Sequence, residues 1–166
     1  DLFEELTGGR VYSIYNIPGG VRRDMPPGFI ERVANVIDYL ETRDDIDADR
    51  LAFMGASWGA AMGPILMAVE PRFQAGVVVV AGLNFQKALP EVDQVHYLQR
   101  VDIPVLMLNG KYDFFFPYET SQLPYFELMG TRAEDKRLVV HEAGHSFPRT
   151  ERARETIEWL DPVRVP

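Results

Sequence analysis

The chain has no cysteine among its 166 residues, which removes disulfides, thiolate metal sites and a cysteine nucleophile from consideration. It has no basic run: 17 Lys and Arg against 25 Asp and Glu give a formal net charge of −8. That sign is wrong for tracking nucleic-acid phosphates or an anionic lipid surface, so no nucleic-acid partner is expected. Long apolar stretches are missing too. The longest, such as residues 75–83, fall far below the roughly 20 residues a membrane-spanning helix needs. No secretory leader, internal repeat, low-complexity tract or linker is visible. The expectation is a soluble, cytoplasmic protein without a membrane span, built as a single domain over residues 1–166, with 46% hydrophobic content available for one core.

What is present alternates between strand and helix. Residues 1–6 read as a helix end stopped by Thr7-Gly8-Gly9, and residues 11–17 as a strand. Phe29, Ile30, Val33, Val36, Ile37 and Leu40 recur at three- and four-residue steps, which predicts an amphipathic helix over 29–43. A strand over 51–54 follows the turn at 44–50, then a helix over 58–69 that ends before Pro71. Residues 77–81 and 103–109 are strands without polar alternation, as buried parallel strands are. Residues 118–129 predict a helix interrupted near Pro124, 138–140 the last strand, and 150–160 the closing helix. This order predicts an α/β fold with a mainly parallel sheet of about five strands flanked by helices, and functional groups at the carboxyl ends of its strands.

Gly55-Ala56-Ser57-Trp58-Gly59 sits where the 51–54 strand passes into the 58–69 helix. A serine on such a turn projects its hydroxyl above the sheet, and the tight backbone calls for small neighbours, here Gly55 and Gly59. Serine is a poor nucleophile alone and needs a base that a third group orients. Asp113 lies just beyond the strand ending at Asn109, and His145 just beyond the last strand. The order Ser57, Asp113, His145 is the one found in α/β-hydrolases. Asp102 and Glu142 are the alternative acids, set aside because Asp113 directly follows a strand end.

On these residues the chain resembles the α/β-hydrolase superfamily. The resemblance rests on residues 49–59, on residues 104–113 (PVLMLNGKYD) and on Gly144-His145, and it points to the dienelactone-hydrolase, acetyl-xylan-esterase and prolyl-oligopeptidase-like branch. It implies a truncated α/β-hydrolase fold with Ser57 as nucleophile, Asp113 as acid and His145 as base. It also implies an esterase- or lipase-like serine hydrolase that cleaves a small carboxylic ester through an acyl-enzyme, with no cofactor and no metal. Dienelactone hydrolases usually carry cysteine at the elbow, so Ser57 points to esterase chemistry. Relative to a complete hydrolase the amino end lacks three strands and the loop that donates one oxyanion-hole amide. Residues 1–17 would correspond to the end of the first helix and the fourth strand. Residues 11–17 are then expected to pair directly with 51–54, and Gly19 and Gly20 to join the Trp58 amide as oxyanion donors. A sheet edge left open in this way could pair across a homodimer. Phe114, Phe115 and Phe116 either line an apolar acyl pocket with Trp58 or pack in the core.

Three rival readings use the same residues, and some weaker candidates lie elsewhere. A catalytically silent fragment or accessory domain would keep the architecture without an oxyanion hole, and a serine peptidase would use the same three side chains. His141-Glu142-Ala143-Gly144-His145 spells H-E-x-x-H, a zinc-protease pattern that works only on a helix, whereas residues 137–140 read as strand and Gly144 disfavours helix. The acidic turn 44–49 suggests calcium but lacks the glycine and terminal glutamate of an EF-hand loop. His96 reads as a surface or packing histidine. Ser13, Ser121 and Ser146 have no elbow context, although Ser146 adjoins His145.

Overall fold

A computed structural model describes residues 16–17, 20–21, 29–85 and 88–161. Two short strands, β1 (Asn16–Ile17) and β2 (Gly20–Val21), form an antiparallel ribbon. Helix α1 (Phe29–Glu41) precedes the central sheet. The sheet holds β3 (Leu51–Ala56), β4 (Phe73–Val79), β5 (Val105–Gly110) and β6 (Lys136–His141), all parallel and in sequence order. The crossovers are α2 (Trp58–Val69), a loop carrying the single turn α3 (Val95–Leu98), and a π turn (Tyr118–Gln122) that runs into α4 (Leu123–Leu128). Helix α5 (Arg149–Leu160) closes the described chain.

Parallel strands need helices on both faces, and β4 and β5 supply side chains to two separate cores. Val78, Val105 and Met107 pack with Ala60 and Met67 of α2, Leu98 of α3 and Tyr125 of α4. Their neighbours Val77, Val79, Leu106 and Leu108 point the other way, against Trp159 of α5 and Phe147 in the loop before it. β3 is different. Phe53 joins the first core, but Met54 on the opposite face is 55% exposed, and among the described strands β3 has β4 as its one neighbour.

The described sheet therefore has four parallel strands where about five were expected. Residues 11–15 lie outside the described residues. Asn16 and Ile17 pair with Val21 and Gly20 rather than with 51–54, so for these two residues the expected insertion beside β3 is replaced by a local hairpin, the cheaper contact in chain entropy.

Three polar ties hold elements that packing alone would leave loose. Arg72, after α2, donates to Glu70, Asp38 and the Ala34 carbonyl, and so fastens α1 to the body. The hydrogen bond from Arg72 holds the buried Glu70 carboxyl below its ordinary range. Lys136 caps the carboxyl end of α4 through the Phe126 and Met129 carbonyls, and burial pulls its ammonium below the usual lysine range. The third tie repairs a helix. Pro64 stands inside α2 and has no N–H to give the Ala60 carbonyl four residues back. The Tyr125 hydroxyl donates to that carbonyl at 2.8 Å, and complete burial pushes the Tyr125 phenol up. Tyr125→Phe should leave a buried carbonyl unpaired at a cost of about 1–3 kcal/mol, lowering Tm by roughly 3–10 °C in a thermal melt.

Candidate active site

Ser57 follows β3 directly and adopts φ 52°, ψ −114°. A non-glycine residue in this region carries strain of order 1–3 kcal/mol. The turn is secured on both sides, by the Ser57 N–H to the Val79 carbonyl at 2.9 Å and the Ala61 N–H to the Ser57 carbonyl at 2.9 Å. The two flanking glycines do different work. A Cβ on Gly55 would stand 2.7 Å from the Gly59 backbone, whereas a Cβ on Gly59 would meet nothing within 4 Å. The expectation that both must be small is thus corrected: Gly55 is the one required by close approach.

Asp113 follows β5 and is 3% exposed. Its Oδ1 accepts the Phe115 and Phe116 N–H groups at 2.8 and 3.1 Å, and its Oδ2 lies 2.7 Å from His145 Nδ1. A carboxylate only accepts, so Nδ1 carries the hydrogen and Nε2 is left as an acceptor. That Nε2 stands 2.7 Å from Ser57 Oγ. Three residues from the ends of β3, β5 and β6 therefore form one continuous hydrogen-bonded line.

The acid and histidine loops are joined through their backbones. Lys111 N–H donates to the His141 carbonyl at 2.8 Å and Tyr112 N–H to the Ala143 carbonyl at 2.9 Å. Gly110 leaves room for the Ala143 and Gly144 carbonyls, which a Cβ there would strike. Gln122, fully buried in the π turn, donates from Nε2 to the Gly110 carbonyl at 2.8 Å and the Phe116 carbonyl at 2.7 Å, clasping the two ends of the Asp113 loop. Asn109 bridges to the exit of β4 by accepting from the Ala81 N–H at 3.1 Å and donating to its carbonyl at 2.6 Å. Sequence reasoning did not single out Gln122, because no motif marks a buried amide.

The other candidates separate cleanly. Asp102 is exposed at the far end of β5, and Glu142 is exposed beside Lys111. Ser121 is buried and donates to the Leu83 carbonyl, Ser146 and His96 are exposed, and Ser13 lies outside the described residues. His141 ends β6, and residues 142–148 are non-helical, so the two histidines of H-E-x-x-H do not share a helix face. In the acidic turn, Asp45 is held by Arg43. A cavity of about 420 Å³ opens beside that turn, lined by Leu51, Gln74 and Leu160 among others, at the amino ends of the strands rather than near Ser57. Phe116 is buried at 8% exposure, while Phe114 and Phe115 are 73% and 55% exposed beside His145. Trp58 is the first residue of α2. Gly20 is in β2, paired with Ile17, and Gly19 lies outside the described residues.

Among solved structures, a cold-adapted esterase from an Arctic intertidal metagenomic library aligns over 82% of this chain and 58% of its own, with TM-score 0.69 and 25% identity. The fold is that of the α/β-hydrolases. An acetyl xylan esterase from Thermoanaerobacterium sp. (TM-score 0.64, 18% identity, 80% of this chain, 51% of that one) shares this α/β-hydrolase architecture. So does a Klebsiella pneumoniae protein assigned as a dienelactone hydrolase (TM-score 0.64, 23% identity, 80% and 60%). The chain thus spans about half to three-fifths of these α/β-hydrolase-fold neighbours.

The sequence is also similar to something else. Residues 1–52 match the model of the respiratory-chain NADH dehydrogenase 49 kDa subunit. An NADH-quinone oxidoreductase subunit of Thermosipho melanesiensis is 49% identical over 43 residues, which is 26% of this chain and 12% of that protein. Its counterpart from Wolbachia sp. subsp. Brugia malayi is 26% identical over 117 residues, 68% of this chain and 30% of that protein. The family-model match takes in residues 1–17, which were expected to supply a hydrolase helix and strand, and it ends before Ser57, Asp113 and His145. Among the described residues no helix is long and apolar enough to cross a membrane.

Proposed function

We propose that this chain is a serine hydrolase of carboxylic esters, with Ser57 as nucleophile, His145 as general base and then acid, and Asp113 as the group that orients and stabilises the imidazole. The observation that carries this reading is the unbroken line from Asp113 Oδ2 through the imidazole to Ser57 Oγ, with both heavy-atom distances at 2.7 Å. His145 takes the hydroxyl proton as Ser57 Oγ bonds to the carbonyl carbon. The Trp58 amide, at the start of α2, supports the oxyanion, and Gly19 or Gly20 supplies the second donor. Collapse of the intermediate breaks the bond to the alcohol, which leaves with the proton from Nε2, and water then releases the acid by the same steps in reverse.

The esterase-type neighbours support the same reaction class. The family-model match to the oxidoreductase subunit stops at residue 52, ahead of all three side chains. The longer alignment, 26% identical over 117 residues, runs beyond that point but takes in only 30% of that relative, so the hydrolase reading rests on the geometry of the three side chains. A fluorophosphonate probe tests the proposal directly. Covalent attachment at Ser57, found by peptide mapping of the intact chain, is the expected result. A serine that stays unlabelled would mean a hydrolase-like fold that is catalytically silent.

A further inference from the structure

We propose that Phe114 and Phe115 form the subsite for the departing alcohol, and that esters of aromatic alcohols are the preferred substrates; this rests on the serine-hydrolase reading above. Both rings are set where burial would not put them, at 73% and 55% exposure, while the third phenylalanine of the run packs inward. They stand together, centroids 4.3 Å apart with planes tilted by 35°. The same backbone contacts that hold Asp113 hold them, because the Phe115 N–H is spent on the Asp113 carboxylate. The pair therefore presents two touching rings on a loop anchored at Phe115.

Its position relative to the chemistry decides which half of the ester it meets. When the tetrahedral intermediate collapses, the carbon–oxygen bond to the alcohol breaks, the electron pair stays on that oxygen, and the proton on His145 Nε2 moves to it. The alcohol oxygen must then lie within hydrogen-bond reach of the imidazole. Its substituent extends over whatever borders that ring, and the border is aromatic: Phe115 at 4.8 Å, Phe116 at 5.9 Å and Phe114 at 6.4 Å between centroids. The acyl chain is attached at the carbonyl carbon bonded to Ser57 Oγ and is not bound to the atom His145 protonates. Residues 114–116 offer rings and no side-chain donors, which suits an aryl or benzyl group, with edge-to-face or offset stacking adding to simple burial.

The test uses the full chain and esters whose alcohols have similar basicity, so that leaving-group reactivity does not decide the outcome. kcat/KM is measured for benzyl acetate against propyl acetate, and for propyl butyrate against propyl acetate. The wild-type chain should prefer benzyl over propyl by about tenfold. Phe114→Ala and Phe115→Ala should each cut that preference about three- to tenfold, as expected for loss of one stacking partner, while the butyrate-to-acetate ratio holds. Phe115→Leu keeps apolar bulk on the loop and should lose the benzyl preference too. A wild-type chain without that preference, or variants that retain it, would overturn the proposal. So would variants that move the acyl ratio and leave the alcohol ratio alone, which would put the rings on the acyl side. Failure of the underlying reading looks different: Ser57 takes no fluorophosphonate and none of these esters is cleaved, and the subsite falls with it.

Discussion

Ser57→Ala should lower kcat for a short p-nitrophenyl ester by on the order of 10⁵- to 10⁶-fold, to the level of buffer plus whatever the remaining site provides. The size of the effect follows from the chemistry. Removing Oγ deletes the acyl-enzyme route, so His145 and Asp113 are left with no nucleophile of their own. The substitution should not cost stability in proportion. Oγ contributes one hydrogen bond, to His145 Nε2, and the elbow is held by backbone contacts to Val79 and Ala61 that alanine retains. A thermal melt near the wild-type midpoint, together with lost turnover, is the expected pair of results. Retained turnover would take the serine out of its proposed role.

Asp113→Asn should cost about 10⁴-fold in kcat near neutral pH, with KM moving much less. The local hydrogen bonds give a specific reason. The Phe115 and Phe116 amides need an acceptor at the Oδ1 position, so an asparagine keeps its carbonyl oxygen there and turns its NH₂ toward His145. Nδ1 must then accept, the ring hydrogen moves to Nε2, and the nitrogen facing Ser57 can no longer take its proton. Steady-state kinetics with the melt as a folding control measure this. A loss of tenfold or less would mean that the imidazole does not depend on the carboxylate for its tautomer.

Most of the body of the fold could be read from the sequence because its signals are local. The apolar runs of β4 and β5, the three-and-four spacing of α1 and the small residues around Ser57 each depend on a few neighbours. The observed boundaries shift by a few residues: α1 ends at Glu41 rather than 43, and β4 begins at Phe73 rather than 77. Pro124 does mark a break, but the broken piece is a π turn, and the proline then sits in the first turn of α4, where a missing N–H costs little.

What could not be read depended on contacts distant in sequence. Nothing around Gln122 announces that its amide will bracket the Asp113 loop. Nothing around Tyr125 announces that it will repair the gap left by Pro64, 61 residues earlier in the chain. The need for a glycine at 110 comes from the histidine loop passing over it. The three phenylalanines could not be sorted by type, since identical rings are separated only by the folded loop, which buries Phe116 and leaves Phe114 and Phe115 exposed. The amino end resisted for another reason: its sequence is similar to an oxidoreductase subunit, so reading it by hydrolase correspondence assigned it a strand partner that Asn16 and Ile17 do not take.

Because the 111–112 segment and the 141–143 segment are laced to each other, Asp113 and His145 sit on two directly joined loops. Ser57 stands at the end of β3, with β4 between it and those loops, and its backbone ties run to Val79 and Ala61. Warming or mild denaturant is expected to part the hydroxyl from the imidazole before it parts the imidazole from its carboxylate, since backbone hydrogen bonds join the loops of the second pair directly. Inactivation should then run ahead of global unfolding and reverse on cooling, the behaviour of a hinge that has slipped rather than of a core that has melted.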